Sequence, residues 1–136
     1  MKKYLSYLLM LLLSVITFGK SDYHVGIITG TVSQSEDGLR GAEEVIKKYG
    51  SADKGGEVVH ITFPDNFMQE METTISQMVS LADDPKMKAI VIAEAIPGTV
   101  EAFRRIREKR DDIYLVANSP HEDPEMISEV VDLVTN

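Results

Sequence analysis

Three observations predict an α/β fold built on a doubly wound parallel sheet. Apolar runs of strand length alternate with stretches whose apolar residues recur every three or four positions. One such run, Ala89–Ala93, shows no polar alternation, as expected of a strand with helices on both faces. Polar loops rich in glycine, proline and hydroxyl residues separate the elements. Alternating strands and helices with right-handed crossovers give a three-layer sheet, expected here in the flavodoxin-like order 2-1-3-4-5.

The first strand is expected at His24–Thr29, ended by Gly30. Ser33 and Glu36 have the spacing of a capping box, and Leu39, Ala42, Ile46 and Tyr49 form the stripe of the helix that follows. Gly50–Gly56 is a turn, and Val58, Val59 and Ile61 mark a second strand closed by Phe63 and Pro64. Asp65 and Asn66, with Gln69, are expected to cap a helix that buries Phe67, Met71, Ile75, Met78 and Ala82. After the third strand at Ala89–Ala93, Pro97-Gly98-Thr99 opens a helix through Phe103 and Ile106. It ends in the basic stretch Arg104–Arg110, which suits the negative end of the macrodipole. The fourth strand is Ile113–Ala117, Asp123-Pro124 caps a last helix, and Asp132–Thr135 is expected as a fifth strand.

Composition narrows the function. A chain of 136 residues, 43% hydrophobic and 26% charged, makes one globular domain. The net charge of -8 argues against nucleic acid as a partner, because phosphate neutralisation needs clustered Lys and Arg. The absence of cysteine excludes a disulfide scaffold, a thiol nucleophile and a thiolate metal site. Lys2 and Lys3 followed by the apolar run Tyr4–Phe18 fit a secretory signal over residues 1–19, cut after Gly19. The run is short for a membrane span, which needs ~20 apolar residues. Residues 20–136 are then a single lobe located in the periplasm or at the cell surface, and only an uncleaved signal segment would tie it to a membrane.

In an open parallel sheet, ligands bind beyond the carboxyl ends of the strands, where the strand order reverses. The loops there offer Thr31, Ser33 and Ser35 after the first strand, and Asp65, Asn66 and Phe67 after the second. Glu94 and Thr99 follow the third. Hydroxyls, amides, carboxylates and one ring suit a small polar solute. The same residue types also cap helices, so each has a structural reading beside the functional one. The dinucleotide and phosphate-loop glycine patterns are absent, as are the serine-nucleophile elbow and the paired histidines of a zinc protease. The expectation is therefore a binding protein rather than an enzyme, with no cofactor and no resident metal. His24 and His60, on strands, are expected to be structural.

Several strings are more specific than these patterns. They are Gly30–Asp37 with Arg40–Glu43, Pro64–Phe67, Glu72–Gln77 with Ser80–Pro85, Pro97–Thr99 with Glu101–Phe103, and Pro120–Pro124. Over Tyr23–Asn136 the chain resembles an uncharacterised bacterial family of exported, periplasmic-binding-protein-like proteins, often lipid-anchored. The resemblance implies a type I periplasmic-binding fold, in which two similar α/β lobes close on a solute for transport or sensing. Here only the amino-terminal lobe would be represented, as a fragment or truncated product. The resemblance supplies no ligand residues, and the lipid-bearing cysteine is missing, with Lys20 near its place. The alternatives are an envelope module for protein contacts and, further off, a small-substrate enzyme on a flavodoxin-like sheet.

Overall fold

The computed structural model describes residues 19–136, so the expected signal segment lies, but for Gly19, outside the described residues. Five parallel strands run in the order β2-β1-β3-β4-β5. They are β1 (His24–Thr29), β2 (Val58–Thr62), β3 (Met87–Ile92), β4 (Tyr114–Asn118) and β5 (Leu133–Thr135). The helices are α1 (Glu36–Tyr49), α2 (Met71–Ser80), α3 (Thr99–Lys109) and α4 (Pro124–Val130). Fold class and strand order are those expected. The strand β5 joins β4 in the register Val116 to Leu133 and Asn118 to Thr135.

Alternation along the central strands places the core. Ile90 and Ile92 of β3 and Leu115 and Ala117 of β4 are fully buried, in one cluster with Ile75 and Met78 of α2, Phe103 and Ile106 of α3, and Ile127 of α4. Those three helices therefore cover one face of the sheet. The other face carries α1, which packs on β1 and β2. Of the predicted α1 stripe only Ala42 is buried, while Tyr49 stands half exposed.

Polar contacts fix the amino-terminal edge. His24 Nδ1 meets Asp84 Oδ2, and Arg110 donates to the carbonyl of Asp84 at 2.7 Å and to that of Met87 at 3.0 Å. Arg110 also pairs with Asp112, whose carboxyl is thereby pulled down to about 2. The basic run at the end of α3 is thus spent on internal contacts: Arg105 reaches Glu72, Arg107 reaches Asp132 and Lys109 reaches Asp83.

Two expected helix starts are corrected. Ser33 does not cap α1: the helix begins at Glu36 after Ser35, and no side chain caps it. Asp65 and Asn66 do not open α2, because residues 65–69 form turns and the helix starts at Met71. Ser33 and Asp65 are instead bonded to each other across the two loops, and Asn66 bonds the side chain of Glu70 rather than a backbone N–H of α2. The cap at Asp123 is present, accepting from the backbone of Glu125 at 2.9 Å and Met126 at 3.2 Å, with Pro124 in the first turn.

Candidate functional site

The carboxyl edge is organised around a carboxylate. The loop after β1 folds back through Ser35 N and Gln34 N, both donating to the carbonyl of Thr31. This turn directs Thr31, Ser33 and Gln34 at the loop after β2. The Thr31 hydroxyl donates to Asp65 Oδ1, and Ser33 Oγ donates to the same oxygen at 2.7 Å. Gln34 Nε2 donates to the carbonyls of Pro64 at 3.2 Å and Asp65 at 3.0 Å, while its Oε1 accepts from Thr31 N. Residues 32 to 34 positions apart are thereby tied across the end of the β1–β2 pair. Ser33 and Asp65 are exposed, so the knot is a surface feature, and among the described residues the second carboxylate oxygen meets no protein donor.

The bond from Thr31, and then that from Ser33, hold the Asp65 carboxyl below the ordinary aspartate value against a small opposing effect of burial. A folded pKa below the unfolded one stabilises the fold above the unfolded value. That contribution is lost as pH falls through the folded value. NMR titration of the Asp65 side chain is expected to give a midpoint below that of an unfolded aspartate, and Thr31→Val with Ser33→Ala should restore the ordinary one. An ordinary midpoint in the unaltered protein would show that the two hydroxyls do not act on this carboxylate.

Other expected residues are distributed differently. Asn66 Nδ2 donates to Glu70 at 2.7 Å, facing along its own turn. Phe67 is partly buried with its ring edge against Phe63, centroids 5.5 Å apart at 73°, leaving only part of the ring for a ligand. Ser35 stands at the head of α1 with no capping bond. Glu94 lies half-buried just past β3, beside Ala93, whose N–H donates to the Ile28 carbonyl. Thr99 departs from expectation. It is fully buried, and its hydroxyl donates to the Ile96 carbonyl at 2.7 Å, so it closes the turn that opens α3 and is not on the accessible rim.

Four residues outside the expected set shape this edge. Gln34 supplies the cross-loop donors, and its place among the loop hydroxyls was the available signal. Asn118 donates to the Ala93 carbonyl at 2.7 Å and accepts from Thr135 at 2.8 Å, joining the ends of β3, β4 and β5. Ser119 follows at φ 46, a left-handed backbone that costs a non-glycine residue ~1–3 kcal/mol. Glu122 Oε1 accepts from Val100 N at 2.9 Å, so the amino end of α3 already holds a protein carboxylate and is closed to an external anion.

A parallel sheet in this order, wrapped by helices and bearing a polar rim at its carboxyl edge, defines a flavodoxin-like three-layer domain. Within that class the chain belongs to the family described as protein of unknown function DUF3798, whose model matches residues 23–136. It is 42% identical over 117 residues to an uncharacterised protein of Treponema pallidum (strain Nichols), covering 85% of this chain and 53% of that one. A second uncharacterised protein of the same strain is 44% identical over 59 residues, 43% of this chain and 27% of the relative. The chain thus spans about half, or less, of the curated relatives it matches. A crystal structure described as "Putative transcriptional regulator" from Clostridium difficile 630 is similar, with a TM-score of 0.74 and 27% identity. That likeness covers 82% of this chain and 33% of the other.

Proposed function

We propose that this chain is a solute-binding lobe of an exported, periplasmic-binding-protein-like molecule, taking a small polar ligand and serving a membrane transporter or sensor. The observation that carries the reading is the knot of Thr31, Ser33, Gln34 and Asp65 at the end of the β1–β2 pair. It holds an accessible carboxylate in one orientation, where the sheet topology directs ligands. Asp65 accepts from a ligand hydroxyl or amine through Oδ2, the oxygen that Thr31 and Ser33 do not bond, Ser35 supplies a hydroxyl, and Glu94 offers a second acceptor beyond β3. The exposed part of Phe67 gives an apolar contact. Thr99 has no part in it.

The resemblance over Tyr23–Asn136 supports an exported binding lobe, and so does the secretory pattern of residues 1–19. The further length of the relatives leaves room for a second lobe of similar size. The C. difficile neighbour, described as a regulator, favours sensing over transport as the output.

Calorimetry of the protein against pooled sugars, nucleosides and amino acids tests the reading. One pool is expected to bind, and Asp65→Asn should weaken it about fivefold or more by removing a charged acceptor. Binding that Asp65→Asn leaves unchanged would place the ligand elsewhere. No heat from any pool at millimolar protein would remove the proposal.

A further inference from the structure

The two faces of the sheet are unequally covered. Alternating with the buried Ile90, Ile92 and Leu115 are Ala89, Val91, Tyr114 and Val116 of β3 and β4, and the strand register sets Leu133 of β5 beside Val116. None of the five is buried: Tyr114 is 51% and Leu133 44% exposed, whereas Ile90, Ile92 and Leu115 on the opposite face are fully covered. Among the described residues α1 is the helix on this side, and it packs on β1 and β2. Parallel sheets are stable with both faces covered, and an apolar strip of this kind marks a contact surface.

The dimensions and flank of the strip indicate what covers it. From β3 to β5 is two strand spacings, about 10 Å, the diameter of one α-helix. On α1, Gly38 and Gly41 are neighbours one turn apart. A side chain at Gly38 would touch Ala93 of the adjoining strand end, whereas at Gly41 it would meet open space within 4 Å. Glycine inside a helix is costly, and a helix laid beside α1 gives Gly41 a packing role through close approach. A second copy of the chain fits less well, because it would bring one molecule of net charge -8 against another. The matched stretch is 53% of its T. pallidum relative, so polypeptide of the required length exists in the family.

We infer that the face formed by Ala89, Val91, Tyr114, Val116 and Leu133 is the seat of one amphipathic α-helix, supplied by the additional polypeptide that the relatives carry. The helix lies along β4 beside α1, with its apolar side inward. This inference does not depend on the identity of any solute.

The chain has no cysteine, so single replacements report cleanly. Tyr114→Cys and Leu133→Cys sit on the strip, and Ser76→Cys, on exposed α2 surface, is the control. Maleimide labelling is measured on the 136-residue protein alone and after co-expression with the unmatched part of the T. pallidum relative as a second polypeptide. Alone, as a monomer, all three variants should label at similar rates. With the second polypeptide bound, the two strip cysteines should slow at least about tenfold while Ser76→Cys is unchanged. Equal rates with and without it, or failure of the two polypeptides to co-purify, would overturn the inference. So would strip protection in the protein alone: in a dimer it identifies a second copy, in a monomer the protein's own amino-terminal segment.

Discussion

Alanine at Ile90 or Ile92 is expected to lower stability by about 2–5 kcal/mol, while Val91→Ala between them costs about 1 kcal/mol or less. Ile90 and Ile92 are fully buried on the central strand β3, against the side of the sheet covered by α2, α3 and α4. Removing their methyl groups leaves a cavity that close-packed neighbours cannot fill. Val91 points at the opposite face, where it is only partly covered. Domains of this size are stable by only ~5–15 kcal/mol, so either isoleucine is a large share of the whole. Urea unfolding followed by circular dichroism measures the difference. Equal losses at all three positions would mean that both faces of β3 are packed alike, against the asymmetry described above.

Gly98→Ala carries the second large effect. Gly98 precedes α3 at φ +97, a left-handed backbone that costs any residue with a β-carbon about 1–2 kcal/mol. A β-carbon there would also lie 2.6 Å from Met71 Sδ, the far end of a flexible side chain that swings aside at little cost, so the backbone carries most of the effect. The thermal midpoint should fall by roughly 4–10 °C. Gly41→Ala is the matched control, since its β-carbon meets nothing within 4 Å and α1 gains helix propensity. It should leave the midpoint unchanged or raise it. A Gly98→Ala protein as stable as the unaltered one would show that the turn before α3 relaxes into another conformation.

What the sequence made legible follows the range of the interactions. The strands, their order and the Asp123-Pro124 cap were readable because periodicity and capping act over a few residues. Ser33 was misplaced as a helix cap because its partner, Asp65, lies 32 residues away. Local competition between side chain and backbone is visible in a string of residues, whereas a loop-to-loop bond is not. Thr99 shows the reverse error, a hydroxyl at a loop position that looks available but is consumed by the Ile96 carbonyl three residues earlier. The uneven coating of the sheet was equally hidden. The run Ala89–Ala93 is apolar on both sides, as a doubly covered strand requires, yet the described residues place helices over only one side of β3, β4 and β5.

Whether a solute meets the carboxyl edge is read from amide chemical shifts of the protein as a bound pool from the calorimetry is titrated in. Saturable shifts are expected at Thr31–Ser35, Asp65–Phe67 and Glu94, with Asp65 among the largest. Its amide leaves the loop that Gln34 grips, and its carboxylate is the group the knot orients. Shifts confined to the amino-terminal edge, around Gly55 and Asp111, would contradict a solute at the carboxyl edge.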